Sequence, residues 1–167
     1  MASHVSTSID VFFDQLKDLK SATEQTVQTL PDLMRWASQA RLLEAFRAYA
    51  EATSRHLREI VAIFEAHSKE PGDDLCKAVA GLIEGGNTHI ALANDSVVRD
   101  HLLIAHANRI GHYLRAASEF TLGMARKCEL LPETEVVAEM LARHQDFTGW
   151  LAEIASEAFK VEIGGVR

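Results

Sequence analysis

A chain of 167 residues is long enough for one ordinary domain with a sizeable core, and its 47% apolar and 25% charged content is that of a soluble globular protein. A net charge of −7, with 17 basic residues scattered rather than clustered, argues against a nucleic-acid-binding surface. No window holds the run of about 18 uncharged apolar residues that a membrane span needs, so no membrane partner is expected either.

The first sixteen residues, MASHVSTSIDVFFDQL, lack the basic start and apolar core of a signal peptide. The expected location is therefore the cytoplasm. The two cysteines, Cys76 and Cys128, are then expected to be reduced, and they form no CxxC metal motif. Three prolines, nine glycines and little period-two alternation predict an all-helical protein.

Ser6 to Ser8 offer N-caps for a first helix, with an apolar stripe through Ile9, Phe12, Leu16, Leu19, Thr23, Val27, Leu30 and Met34. Pro31 predicts a kink near Val27 to Leu30, or a restart at Pro31 itself. Ser38 is expected to cap a second helix, Gln39 to about Ser68, with the stripe Leu42, Phe46, Tyr49, Thr53, His56, Ile60, Phe64 and His67. Lys69-Glu70-Pro71-Gly72 ends it.

Asp73 and Asp74 are expected to open a shorter helix, DDLCKAVAGLIEG, which Gly85-Gly86 should fray or bend. Asn94-Asp95-Ser96 leads into a fourth helix whose centre is Val98 to Ala125. Its stripe reads Leu103, Ala107, Ile110, Leu114, Ala117, Phe120 and Met124. Pro132 with Glu133 and Glu135 starts a fifth helix, with the stripe Val137, Met140, His144, Phe147, Leu151, Ile154 and Ala158. The tail VEIGGVR is expected to be mobile.

Four long amphipathic helices and one short one predict a single domain over 1–167, with its core at about 8–160. The expected fold is an all-α, ferritin-like antiparallel four-helix bundle, with the short helix in the crossover between helices two and four.

Bundles build metal sites from Glu and Glu-x-x-His that face inward on neighbouring helices. The polar residues on or near these stripes are Thr23, Thr53, His56, Ser118 and His144, with His106 at an edge. Glu24 flanks the first stripe, about 100° round from Thr23. Glu51 and Glu59 also fall off the face that carries His56. A weak internal echo links Glu51…Arg55-His56 with Glu139…Arg143-His144. His56 and His144 are read either as neutral core histidines bonded to hydroxyls such as Thr53 or Thr148, or as a two-histidine metal site or proton acceptor. His112 reads as a surface or interface histidine, and His4, His67 and His89 carry no recognisable context. No nucleotide-binding, nucleophile-elbow or zinc-protease motif occurs, so no catalytic residue is assigned.

Four segments carry a family resemblance: LKSATEQTVQTLPDLMRWAS, EATSRHLREIVAIFE, CKAVAGLIEG and VRDHLLIAHANRIGHYLRAASEFTLGMA. With these the chain resembles the YciE/YciF family of ferritin-like proteins over about residues 8 to 160. The resemblance implies a bacterial stress association, a homodimer and a di-metal centre between the helices.

The chain departs from the family pattern where that centre would lie. Glutamates of the family fall on Thr23, Ala52, Gly111 and Leu114, and a Glu-Glu pair falls on His144 and Gln145. A one-residue shift would bring in Glu24 but would not restore Gly111 or Leu114. A di-iron centre needs about four to six ligands, mostly carboxylates. The expectation is therefore a degenerate centre, with no cofactor and a structural or interaction role rather than an enzymatic one. The alternatives are an oxidase- or ferroxidase-like protein that holds iron or zinc through Glu24, His56 and His144, and a small-molecule binder that uses the vacated centre. Gly111, where glycine costs roughly 1 kcal/mol against alanine in mid-helix, reads as relaxed demand for metal rather than as a helical need.

Overall fold

The computed structural model describes residues 5–164. Among them are five helices and no strand: α1 (Ser8–Trp36), α2 (Ala40–Ala66), α3 (Lys77–Ala91), α4 (Ser96–Lys127) and α5 (Leu131–Phe159). His4 and residues 165–167 of the expected mobile tail lie outside this range.

The helix starts follow local chemistry. Thr7 and Asp10 form a capping box: Asp10 N donates to Thr7 Oγ1 (3.2 Å), and Thr7 N donates to Asp10 Oδ2 (2.9 Å). Asp95 caps α4 by accepting from Val97 N and Val98 N. Two predicted starts move. Gln39, not Ser38, caps α2, its side chain accepting from Leu42 N at 2.7 Å. Asp73 and Asp74 precede α3, whose N-cap is Cys76.

Helix α1 runs unbroken through Pro31, which overturns a restart there. Pro31 is exposed, so solvent can satisfy the carbonyl left without a donor. Helix α3 likewise continues past Gly85 and Gly86 to Ala91. The tail up to Gly164 is held rather than loose. Val161 N donates to Ala155 O (3.0 Å), Ser156 Oγ donates to Glu162 (2.7 Å), and Ile163 packs on the core.

α1 packs against α2 and α4, and α5 packs against the same two helices, so the four long helices close a ring. The ends fix their directions. Asp100, near the start of α4, accepts from Ser38 N (2.9 Å), Ser38 Oγ (2.5 Å) and Gln39 N (2.9 Å) at the turn between α1 and α2. At the other end, His67 after α2 meets Glu133 at the start of α5, at 2.6 Å. Neighbours around the ring are therefore antiparallel. The chain crosses from the end of α2 to the start of α4 through α3, which lies on α4 and α1.

The core is built from the predicted stripes, with Phe12, Leu16 and Leu19 against Phe46, Ile60 and Phe64, and Leu103, Ile110 and Leu114 against Met140, Phe147 and Leu151. Each such side chain contributes about 1.5–3 kcal/mol on burial. The late half of α4 departs from expectation. Phe120 is 55% exposed, whereas Ser118, Thr121, Leu122 and Ala125 are buried. The predicted stripe takes six steps over 21 residues, the repeat of a coiled-coil seam. The buried set, Leu103 to Ala125, takes six steps over 22 residues. That is close to the 3.6-residue turn of a straight helix. Thr121 accepts burial because its Oγ1 donates to Ala117 O at 2.8 Å. Ala158, predicted to face the core, is exposed at the end of α5.

Candidate functional site

The inward threonines are satisfied by their own backbone, whereas Ser118 Oγ, His56 and His106 are buried without a hydrogen-bond partner. Thr23 Oγ1 donates to Leu19 O (2.7 Å), Thr53 Oγ1 to Tyr49 O (2.8 Å), and Thr148 Oγ1 to His144 O (3.1 Å). These threonines present only methyl groups to their neighbours and behave as apolar residues. Thr53 and Thr148 hydroxyls therefore do not serve the histidines.

His56 on α2 and His144 on α5 are each 1% exposed, and their rings meet edge-on with centroids 5.5 Å apart. Tyr49, stacked on Phe147 at 3.6 Å, places its hydroxyl 2.8 Å from His144 Nδ1. Burial raises the Tyr49 hydroxyl above its ordinary value and pushes His144 down to about 3, with His56 adding to the second shift. The phenol therefore donates, and a neutral imidazole accepts at Nδ1.

His56 has no such partner. Burial pushes it down to about 4, against the opposing pull of Glu139, and neither ring nitrogen has a hydrogen bond. Its Nε2 lies 3.3 Å from Glu139 Oε2. The other oxygen of Glu139 accepts from Arg55 Nη2 (3.0 Å) and Arg143 Nε (3.1 Å). Glu59, one turn along from His56, brings a third ligand-type atom. The donor atoms of His56, Glu59 and Glu139 all lie within 4.8 Å of one another, the one such group of three among the described residues. Glu59 Oε2 and Glu139 Oε2 are themselves buried without a hydrogen-bond partner. Beside them a groove of about 320 Å³ opens between α2 and α5, lined by Ala48, Ala52, Arg55, Glu139, Arg143 and Trp150 among others.

Glu24 is not part of this group. It forms an ion pair with Lys20 at 3.1 Å, half exposed on α1. Thr23 and Leu114 are fully packed in the core, and Ala52 is half-buried beside the groove. Gly111 has a packing reason that the sequence does not disclose. A Cβ there would lie 2.9 Å from Thr148 Cγ2 and 3.2 Å from Phe147 Cδ1, so α5 occupies the space a side chain would need. Glycine at 111 therefore answers a close approach of α5. The bundle centre is repacked: the cavity lined by Thr26, Thr29, Tyr49, Ile110 and Phe147 measures only about 10 Å³. Thr23, whose hydroxyl is bound to its own backbone, Gly111 and Leu114 offer no carboxylate to an ion at the bundle centre.

His106 is the second orphan. It is 1% exposed, both ring nitrogens lack partners, and burial with nearby Arg109 and His89 pushes it down to about 4. No carboxylate approaches it. Its ring lies against Gly86, where a Cβ would meet Nδ1 at 1.8 Å.

Glu59 and Glu139 stand beside the apolar stripes, and neither is a candidate ligand by stripe position. The available signal was the His-x-x-Glu spacing of His56 and Glu59, which sets Glu59 off the stripe but only about 60° round α2 from His56, within reach of it.

No helix among the described residues is long and apolar enough to cross a membrane. A solved structure of YcfI from Rhodopseudomonas palustris shares the fold, with a TM-score of 0.85 at 20% identity over 90% of this chain and 96% of that one. The crystal structure of the Escherichia coli stress protein YciF matches with a TM-score of 0.87 at 28% identity, covering 95% of this chain and all of that one. In sequence, protein YciF of Escherichia coli K12 is 34% identical over 139 residues, which is 78% of this chain and 83% of that protein. The family model described as a domain of unknown function, DUF892, matches residues 7–163. The chain belongs to this YciF-type DUF892 family.

Proposed function

We propose that the protein is a YciF-type bundle whose axial two-metal centre has been lost, and that it serves as a non-catalytic structural or interaction protein in a stress response, as a cytoplasmic homodimer. The observation that carries this reading is the filled bundle centre: Phe147 and Thr148 occupy the space at Gly111, and Thr23 and Leu114 are buried in the core. The stress association is taken from the description of the Escherichia coli relative. Elemental analysis of protein purified without added metal, followed by Fe(II) addition in air, tests it. The expected result is fewer than two irons per chain and no iron-dependent absorption band. Two irons per chain, or catalysed oxidation of Fe(II), would sink the reading. Sedimentation analysis tests the dimer, and a monomer at micromolar concentration would remove that part.

A further inference from the structure

Among the described residues, the α2/α5 seam holds three buried side-chain atoms that make no hydrogen bond of good geometry: His56 Nε2, Glu59 Oε2 and Glu139 Oε2, the first and last facing each other at 3.3 Å. Buried polar atoms without partners are costly, on the order of 1–3 kcal/mol each, and more when charged. The same three side chains bring one ligand-type atom each to within 4.8 Å of the others. The spacing is also specific. A tetrahedral ion with bonds of about 2.0–2.2 Å to nitrogen and oxygen holds its ligand atoms about 3.3 Å apart. His56 Nε2 and Glu139 Oε2 stand at 3.3 Å.

We propose that His56, Glu59 and Glu139 form a mononuclear site for a divalent transition-metal ion of the Zn²⁺ class, with the fourth position open to water from the α2/α5 groove. The set has one imidazole and two carboxylates, so the ligand charges balance the ion. It lies off the axis, at none of the positions where the family resemblance implies metal-binding glutamates. The arginines have a defined part. Arg55 and Arg143 both bind Glu139 through Oε1, which leaves Oε2 aimed at His56. They orient the ligand, as outer partners of metal-binding carboxylates commonly do, while their charge tempers the affinity. The 40% exposure of the Glu139 side chain gives an ion a path from solvent.

The test uses the full chain, stripped of metal and titrated with Zn²⁺ by calorimetry and with Co²⁺ by visible absorption. One equivalent should bind, and Co²⁺ should show the bands of a four-coordinate nitrogen and oxygen site. His56→Ala and Glu139→Gln should each weaken binding by about tenfold or more. Glu139→Gln replaces a half-exposed group with an isostere, so its fold survives and far-UV circular dichroism will verify that. Glu51→Gln, in the same groove but outside the set, should leave the affinity unchanged. Absence of Zn²⁺ binding at millimolar metal would overturn the site. So would equal affinity in wild type and Glu139→Gln, or a thiolate-to-Co²⁺ band that places the ion on a cysteine. Because the readout is one ion at the seam, its failure leaves the lost axial centre untouched, and two irons on the axis would leave this site untouched.

Discussion

Two buried histidines make an instructive pair. His56 in the α2/α5 seam and His106 in the α3/α4 contact are equally inaccessible, equally without hydrogen-bond partners at either ring nitrogen, and both held neutral, near 4, mainly by burial. What surrounds them differs. His106 lies flat against the backbone at Gly86 with Arg109 and His89 nearby, and no acceptor reaches it. His56 faces two carboxylate oxygens that are themselves unsatisfied. Burial and a depressed pKa are therefore not a site. One histidine is a flat filler that lets two helices approach, and the other belongs to a convergent donor set.

The sharpest way to break the comparison is at Gly86. If His106 is a packing element, Gly86→Ala should cost about 3 kcal/mol in denaturant unfolding, because the new methyl would overlap the ring at 1.8 Å. A loss below about 1 kcal/mol would mean that α3 is free to slide and that the contact does not matter.

Acid should separate the histidine's charge from its shape. His106 falls from its ordinary 6.5 to about 4 on folding, so the unfolded chain takes up the proton first. Stability from this group is complete above pH 6.5 and declines as the pH falls toward 4, by on the order of 3 kcal/mol. His106→Leu should flatten the stability-against-pH curve over that window. An unchanged slope would show that the ring is solvated.

Gly111 offers a milder counterpart in the α4/α5 contact. Gly111→Ala gains about 1 kcal/mol in helix propensity but pushes on Thr148 and Phe147, for a net loss of about 1–2 kcal/mol. Thr148→Ser, which removes the nearer methyl, should recover part of that loss in a double-mutant cycle. Strict additivity would exclude the contact as the cause.

The smallest effect should come from the seam. Glu139→Gln without metal should change stability by less than about 1 kcal/mol, because its arginine pairs are half exposed. A large loss would make Glu139 a structural residue and weaken its standing as a ligand.

The stripes told the fold because core burial repeats along a single helix, and Leu42, Phe46, Tyr49, Thr53, His56, Ile60 and Phe64 are all buried as their spacing demands. They told less about the site. Glu59 and Glu139 stand beside their stripes, on two helices, and meet only because α2 and α5 are neighbours. Such a seam is a property of pairing, which no one-helix pattern contains. Gly86 and Gly111 show the same limit. The sequence displays a weak helix former, but only the packing reveals the His106 ring or the Phe147 and Thr148 side chains that require it. The stripe of α4 failed past Leu114 because a repeat of 3.5 and one nearer 3.6 agree for three turns and then part.

Asp100 ties the two halves of the molecule together. The turn between α1 and α2 looks local, yet two of its backbone donors and a hydroxyl are satisfied by a carboxylate about sixty residues further on. The corner of the first hairpin is therefore completed only by α4, across the crossover. The two halves are thereby bound into one cooperative unit. Trp36, beside that corner, and Trp150, on the opposite hairpin, should report one unfolding transition with a common midpoint.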